Sequence, residues 1–497
     1  MAGALTGASL LAGTGIAAAE PAAGNGGPDR FYHQRLDWKP CGDKGLDAAG
    51  AQCADVTVPV DYARPGGRTI TVAISRLKAA DPARRRGIML SNPGGPGGPG
   101  LDMMLDVKKA MTPDVVSRYD LIGMDPRGIG RSAPVDCGWP VGIMLRSAGV
   151  DRQAFERTAR LEADLAKRCA AAEGPELRHI STRNTARDMD VVRGALGEPR
   201  ISYFGWSYGT YLGAVFTQLF PGRSDRIVLD SAVDAKRYGS PMLHDMGEPN
   251  EIALDEWATW TAAHDAEYHL GTTRERVRAL TEDLIRRAAR QPIPIGDYRL
   301  DQHVLPMMLF NPLSDARNDA VLAHTVRQIA DAADAADGKH VVPNPALEKD
   351  LSFVYKPRPG MQNSGQAAVL CGDVAERRDP EWYWRNIQRG RAGQPVFGAF
   401  ADNITACASW APPAERQTVV RNPVPALIVQ ATGDTRTPYA SGVALHRAMT
   451  GSRLVTLQDV RVHAVFGNYP NACAEHAVNT YFRDGTLPEA DTTCRDD

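Results

Sequence analysis

Short apolar runs bounded by turn residues recur along much of the chain, with helix-like periodicity between them. Runs of this kind are typical of strands that are buried on both faces of a parallel sheet. The predicted strands are Asp55–Tyr62, Thr69–Leu77, Arg86–Ser91, Tyr119–Met124, Ile201–Phe204, Arg226–Asp230, Pro425–Gln430 and Arg453–Leu457.

The strand pattern fades between about residues 236 and 415, where helical periodicity dominates. Examples are Glu256–Tyr268, Thr273–Arg290 and Asp315–Ala335. Alternating strands and helices interrupted in this way predict an α/β fold, with a doubly wound, mostly parallel sheet that carries a mainly helical cap. We assign 36–235 and 416–497 to the sheet domain and 236–415 to the cap.

Composition narrows the possible functions. A chain of 497 residues can bury a large core. Its net charge of −2 gives no electrostatic reason to expect a nucleic-acid partner. No run approaches the roughly 20 apolar residues needed to span a bilayer.

Residues 1–35 form a separate segment. Ala4–Ala19 has the apolar core and small-residue cleavage site of a signal peptide, although no positively charged residues precede it. We therefore predict an export signal, with a possible propeptide after it, and a secreted protein. The alternative is a disordered Ala/Gly tail.

The eight cysteines support an oxidising compartment, because an even number fits a set of disulfides. Eight cysteines allow 105 pairings, and pairing in sequence order closes the shortest loops. The predicted pairs are Cys41–Cys53, Cys137–Cys169, Cys371–Cys407 and Cys473–Cys494. Free buried thiols are the alternative. A zinc site is disfavoured, since the chain has no C-x-x-C pair.

The segment Gly205-Trp-Ser-Tyr-Gly209 follows a predicted strand and precedes a helix-like run. This is the context of a nucleophile elbow, in which a serine lies on a tight strand-to-helix turn. Small residues two positions to either side let the backbone turn so sharply. Ser207 is the candidate nucleophile, and the alternative is a Gly-rich turn that carries an incidental serine.

A serine nucleophile needs a base and an orienting acid, in the chain order Ser, Asp, His for this fold. Asp434 follows the strand Pro425–Gln430, and His463 follows the strand Arg453–Leu457. Because parallel strands present their carboxyl ends at one edge of the sheet, these residues are expected to meet Ser207. Alternatively, Asp434 caps a turn and His463 is an ordinary loop residue.

Two backbone N–H groups are expected to bind the oxyanion. One belongs to Tyr208, the residue after the nucleophile. The other is expected from the loop Asn92–Gly100, where glycines let the backbone approach the substrate. Gly94 and Gly95 are the candidates, with a flexible Pro/Gly linker as the alternative interpretation of this loop. Asp125 and Arg127, in a later Asp-Pro-Arg-Gly turn, are interpreted as structural.

These motifs together resemble the proline iminopeptidase family of α/β-hydrolases, and within it the secreted bacterial tripeptidyl aminopeptidases. The resemblance runs from about residue 35 to the end of the chain. It rests on the segments Asn92–Gly97, Asp125–Ser132, Asn184–Asp190, Gly205–Thr210, Ala368–Asp373 and Gly433–Pro438. One departure is Val462-His463-Ala464, where the family has Gly-His-Gly. The resemblance implies removal of short peptides from free N-termini.

Recognition of a free N-terminal ammonium calls for carboxylates in a partly desolvated pocket. The acids considered for this role are Glu248, Glu251, Asp255, Glu256 and Asp373. Each is alternatively a solvated acid on a helix face.

The motifs predict a serine hydrolase that acts through a Ser207–His463–Asp434 acyl-enzyme mechanism, and the resemblance implies that it is a secreted exopeptidase that acts on peptides. The chemistry requires no metal or organic cofactor, and we expect a monomer. A secreted carboxylesterase or lipase with the same triad is the main alternative. A catalytically silent hydrolase fold that serves as a binding protein is the second.

Overall fold

The computed structural model of the chain describes residues 29–335, 341–356 and 363–496. The predicted export signal lies within residues 1–28, outside the described residues. Phe31 is only 3% exposed and packs into the main core. The folded part of the chain thus includes residues before the predicted boundary at 35.

Eight of the described strands lie close to their predicted positions, and the other four, which have two or three residues each, were not predicted. Their bounds are β1 Lys39–Pro40, β2 Gln52–Pro59, β3 Thr69–Leu77, β4 Gly87–Asn92, β5 Tyr119–Met124, β6 Ile201–Trp206, β7 Ser224–Asp230, β8 Ile293–Ile295, β9 Tyr298–Leu300, β10 Ala426–Ala431, β11 Ser452–Leu457 and β12 Thr492–Cys494.

Ten of these strands form one sheet in the order β1-β2-β3-β5-β4-β6-β7-β10-β11-β12. Pairing is antiparallel from β1 to β5 and parallel from β5 onward. After β4 the chain first adds β5 on one side and later β6 on the other. The carboxyl ends of β4 and β6 therefore border a topological switch point, where open α/β sheets bind their ligands.

Helices cover both faces of the sheet and fill the insertion. Their bounds are α1 Asp29–Tyr32, α2 Lys44–Ala48, α3 Met103–Val107, α4 Pro113–Val116, α5 Arg152–Glu173, α6 Thr182–Ala195, α7 Tyr208–Leu219, α8 Ser240–Asp245, α9 Gly247–Ala263, α10 Asp265–Tyr268, α11 Arg274–Arg290, α12 Leu305–Phe310, α13 Asp319–Asp334, α14 Pro345–Tyr355, α15 Asn363–Asp373, α16 Pro380–Gly390, α17 Gly398–Ala401, α18 Tyr439–Ala448 and α19 Ala472–Asp484.

Alternate residues of each central strand enter different cores because successive side chains point to opposite faces. Leu90 packs with Leu212 of α7 in the core on one face. Its neighbour Met89 packs with Val478 and Phe482 of α19 on the other. Both faces are therefore covered, as a parallel sheet requires.

The segment between β7 and β10 is mainly helical and has its own core, which includes Trp257, Leu284 and Phe397. It also contains the antiparallel β8–β9 hairpin, where the sequence pattern predicted no strand. Helix α15 lies within the predicted cap range, yet its residues 367–371 pack in the sheet core. The boundary between sheet domain and cap that was predicted along the chain therefore differs from the boundary between their hydrophobic cores.

The cysteines pair in sequence order, as the loop-length argument predicts. The disulfides are Cys41–Cys53, Cys137–Cys169, Cys371–Cys407 and Cys473–Cys494. All eight sulfur atoms are thus engaged with one another.

Asp125 and Arg127 stabilise the loops beyond β5. The Asp125 carboxylate accepts hydrogen bonds from the backbone N–H groups of Gly100 and Arg131, each at 2.8 Å. Arg127 is fully buried and donates from Nε to Asp188 at 2.6 Å. These contacts agree with the structural roles expected for both residues.

Candidate active site

Ser207 lies between β6 and α7 with φ of 56° and ψ of −124°. This left-handed region is uncommon for a side-chain-bearing residue and is expected at a nucleophile elbow. The flanking glycines are required by close backbone contacts. A Cβ on Gly205 would lie 2.6 Å from the carbonyl carbon of Gly209, and one on Gly209 would lie 2.5 Å from Asn92 O.

The loops after β10 and β11 bring Asp434 and His463 together. His463 Nδ1 lies 3.0 and 2.9 Å from the two carboxylate oxygens of Asp434. The Asp434 side chain is fully buried, whereas that of His463 is 18% exposed. Because Nδ1 faces the carboxylate, it carries the proton, and Nε2 is left to accept one.

Asp434 is held as a carboxylate by its neighbours. It accepts hydrogen bonds from the backbone N–H groups of Arg436 and Thr437 and from Thr437 Oγ1, at 2.8, 3.0 and 2.7 Å. Burial by itself would raise the pKa of Asp434, but the electrostatic interaction and hydrogen bond with His463, together with these hydrogen bonds, outweigh it. The pKa of Asp434 is therefore lowered.

Ser207 and His463 line one cavity of about 290 Å³. It lies between the carboxyl edge of the sheet and the insertion, whose Met246, Met307 and Phe310 form part of an apolar wall. Ser207 and His463 form no hydrogen bond with each other in this structure. Catalytic hydrogen bonds of this type often close only when substrate is bound.

Gly95 is the stronger of the two oxyanion candidates in the loop after β4. The N–H of Gly94 already donates to Asn92 Oδ1 at 3.0 Å. Gly95 lines the cavity beside Ser207, and its N–H has no acceptor among the described residues. Gly94 instead has a steric role, since a Cβ there would lie 2.9 Å from Ser207 Cβ and 3.2 Å from Tyr208 N.

The end of β7 anchors the loop of His463, which the sequence analysis did not foresee. Asp230 Oδ2 accepts the N–H of Phe466 at 2.7 Å, and Ser231 Oγ accepts the N–H of Ala464 at 2.8 Å. Burial raises the pKa of Asp230 to about 6. Asp230 and Ser231 could have been noticed in the sequence because they lie at the carboxyl end of a predicted parallel strand.

Ala464 has φ of 67°, in the left-handed region. A glycine takes this conformation without steric cost, which explains the Gly-His-Gly pattern of the family that the sequence resembles. The alanine retains the same backbone path. The departure seen in the sequence therefore does not displace His463 from Asp434.

Arg436 is a third residue that the sequence analysis missed. Arg436 lines the cavity. Its guanidinium donates to Asn250 Oδ1 at 3.2 Å, to the carbonyl of Phe310, and to that of Asn311 at 3.3 Å. It also lies over the ring of Phe310, with Cζ 3.2 Å from the centroid. Its position two residues after Asp434 was the available signal.

The acids considered for ammonium recognition do not line this cavity. Glu251 accepts the N–H groups of Val396 and Phe397, both at 2.7 Å, and pairs with Arg278. Because these contacts satisfy its carboxylate inside the insertion, Glu251 is a structural residue.

The remaining acids are also engaged or face solvent. Asp255 pairs with Arg278, and Glu256 with Arg461. Asp373 is buried against Thr182, and Glu248 is exposed on α9. The prediction that such acids bind the substrate ammonium therefore finds no support in their positions.

Comparisons with known proteins agree with the fold and the motifs. A family model for the alpha/beta hydrolase fold matches residues 87–297, and one described as TAP-like protein matches 394–494. The tripeptidyl aminopeptidase of Streptomyces lividans is 33% identical over 485 residues, which cover 92% of this chain and 86% of the relative.

Two further relatives extend over nearly the whole chain. Serine protease Hip1 of Mycobacterium bovis is 29% identical over 505 residues, covering 93% of this chain and 91% of the relative. Carboxylesterase B of Mycobacterium tuberculosis is 31% identical over 517 residues, covering 99% and 96%. On this evidence the chain belongs to the tripeptidyl aminopeptidase-like family of α/β-hydrolases.

Proposed function

We propose that this protein is an exported serine exopeptidase that releases short peptides, tripeptides above all, from free N-termini. The observation that carries the proposal is the pairing of His463 with a buried Asp434 beside the cavity that Ser207 lines. The relatives named tripeptidyl aminopeptidase and serine protease support the choice of a peptide bond as the target.

The first half of the reaction forms an acyl-enzyme. Ser207 Oγ attacks the peptide carbonyl carbon while His463 Nε2 takes its proton. Asp434 keeps the proton of Nδ1 in place and stabilises the imidazolium. The N–H groups of Tyr208 and Gly95 bind the oxyanion, each contributing about 3 kcal/mol to transition-state stabilisation. His463 then protonates the departing amine.

The second half restores the enzyme. Water enters the position of the departed amine, and His463 Nε2 takes a proton from it as it attacks the ester carbonyl. The resulting tetrahedral intermediate is stabilised by the same two N–H groups. Its collapse releases the peptide carboxylate, and the proton on His463 returns to Ser207.

The shape of the site favours short substrates. A cavity of about 290 Å³ beneath a helical insertion has room for a short peptide segment and excludes a folded chain. The four disulfides favour an oxidising compartment, which fits export. We expect a monomer that acts on soluble peptides.

A carboxylesterase activity is the second candidate. One observation favours it: among the described residues, no Asp or Glu lines the cavity to pair with a substrate ammonium. The relative named Carboxylesterase B is in keeping with this alternative.

Labelling with a fluorophosphonate tests whether the protein is a serine hydrolase at all. We expect one label per chain on Ser207 and none on Ser207→Ala. A folded protein that is not labelled would be a silent binding module, contrary to the proposal.

Three substrates then separate the peptidase from the esterase. They are a tripeptide p-nitroanilide, its N-acetylated form and a p-nitrophenyl ester of a short fatty acid. An aminopeptidase cleaves the free tripeptide anilide and loses most activity on the acetylated one. Preference for the ester over both anilides would assign the protein to the esterases.

A further inference from the structure

The only charged side chain among the described residues that line the cavity, apart from the imidazole of His463, is that of Arg436. Within the described chain, no carboxylate lies within 4.0 Å of its guanidinium nitrogens. Other buried arginines do have such partners, among them Arg127, Arg278 and Arg461. Asp434 is close in sequence, but its carboxylate is engaged by His463 and Thr437. Burial lowers the pKa of Arg436, and the nearby charge of Asp434 acts in the opposite direction. The cavity therefore carries a positive charge that no direct ion pair among the described residues neutralises.

The hydrogen bonds of Arg436 leave donors free. A guanidinium has five N–H donors. The oxygens of Asn250, Phe310 and Asn311 accept three hydrogen bonds from it, all as neutral groups. The donors that remain have no acceptor among the described residues. Contact with the ring of Phe310 and the apolar wall lowers the local polarity and strengthens any ion pair formed there.

We infer that Arg436 forms a subsite for a carboxylate of the substrate, so that the enzyme prefers acidic peptides. This inference rests on the proposed function and names the substrate class for the same site. Arginine is suited to the role because its planar donors match a carboxylate. The same charge repels an ammonium, so the N-terminus of a bound peptide points away from Arg436.

The carboxylate can come from two places in a peptide. It can be the side chain of a Glu in the acyl part, next to the cleaved bond, or the free C-terminus of a short leaving peptide. Two matched pairs distinguish them. Ala-Ala-Glu p-nitroanilide is compared with Ala-Ala-Gln p-nitroanilide, and tetra-alanine with its C-terminal amide.

The measured quantity is the ratio of kcat/KM for the acidic substrate to that for its neutral partner. We expect a ratio of ~10 or more in one of the two pairs for the wild type, as a charge-assisted hydrogen bond gives. Arg436→Gln should lower the ratio to about 1, and Arg436→Lys should retain part of the preference. The change should appear mainly in KM, because the pair forms on binding.

Arg237→Gln is the matched control. Arg237 pairs with Asp245 and lines a different cavity beneath α8, so its removal should leave both ratios unchanged. A ratio divides out any general loss of activity that follows when the contacts of Arg436 with the insertion are removed. If Arg436→Gln does not fold, the wild-type ratios and Arg436→Lys still decide the matter.

A wild-type ratio near 1 in both pairs would overturn the inference, as would an acidic preference that Arg436→Gln retains. Either result leaves the proposed function standing when neutral peptides are cleaved and Ser207 is labelled. If no peptide is cleaved and Ser207 is not labelled, the proposed function is wrong, and the inference about Arg436 falls with it.

Discussion

The hydroxyl of Thr182 donates a hydrogen bond of 2.5 Å to the buried carboxylate of Asp373. The backbone N–H of Thr182 donates to the other oxygen at 2.7 Å. Thr182 Oγ1 also lies 2.7 Å from the hydroxyl of Tyr208, the residue after the nucleophile. Asp373 thus belongs to a buried network behind the elbow.

Asp373 should make the stability of the protein depend on pH. Burial raises its pKa to about 7, although its hydrogen bonds with Thr182 act in the opposite direction. Between about pH 4 and 7 the unfolded chain releases this proton while the folded protein keeps it, so stability falls as pH rises. Asp373→Asn should remove this contribution.

Urea unfolding at pH 5 and pH 8 checks the prediction. Between pH 5 and pH 8 the free energy of unfolding should fall by roughly 3 kcal/mol more in the wild type than in Asp373→Asn. Asp297→Asn, in the exposed β8–β9 turn, serves as the control and should behave as the wild type. Equal losses in the wild type and Asp373→Asn would show that Asp373 does not titrate in this window.

Asp434→Asn should lower kcat by about 10⁴-fold, because an amide stabilises neither the required tautomer nor the imidazolium. The measurement is steady-state hydrolysis of a tripeptide anilide, with thermal unfolding to verify the fold. Retention of a tenth of the activity would exclude Asp434 from the proposed role.

Gly94→Ala should lower kcat/KM by at least ~100-fold. The new Cβ would lie 2.6 Å from Trp206 O and 2.9 Å from Ser207 Cβ, at a residue with φ of +96°. The loop must therefore move away from the elbow, and Gly95 moves with it. Gly222→Ala is the control, since among the described residues no atom beyond its own chain neighbours lies within 4 Å of its Cβ position. Equal kcat/KM values for the two variants would contradict the predicted packing.

Each disulfide should stabilise the protein, and a disulfide that closes a longer loop should do so somewhat more. Cys371 and Cys407 are separated by 36 residues, and Cys41 and Cys53 by 12. The chain-entropy model gives losses of roughly 4 and roughly 3 kcal/mol when each pair is replaced by alanine. Urea unfolding of the two double variants measures both. A larger loss for the shorter loop would mean that strain or local packing dominates.

Several features could be predicted from the sequence because they depend on neighbours along the chain. The apolar runs placed eight of the ten strands of the main sheet, and the Gly-x-Ser-x-Gly segment predicted the turn at Ser207. Asp434 and His463 followed from the rule that parallel strands end at one edge. Disulfide pairing in sequence order followed from loop length alone.

Other features depended on which distant side chains come into contact. Glu251 and Asp373 are acids of the kind that can bind a substrate ammonium. Their carboxylates, however, already accept hydrogen bonds from backbone N–H groups and from Thr182. Gly94 and Gly95 could not be told apart until Asn92 was seen to occupy one N–H group. In each case the outcome depends on which donor reaches which acceptor in the folded protein, and the spacing of residues along the chain does not show this.

The character of the cavity was likewise decided only by the tertiary structure. The insertion contributes Met246 and Phe310 to the cavity that Ser207 lines, and in the described part of the chain no carboxylate forms an ion pair with Arg436. The sequence determined where the nucleophile and its partners lie, because the elbow and the strand ends are local. The charge of the cavity was decided by the tertiary structure, because it depends on which acids the fold places near Arg436 and which it pairs with other groups.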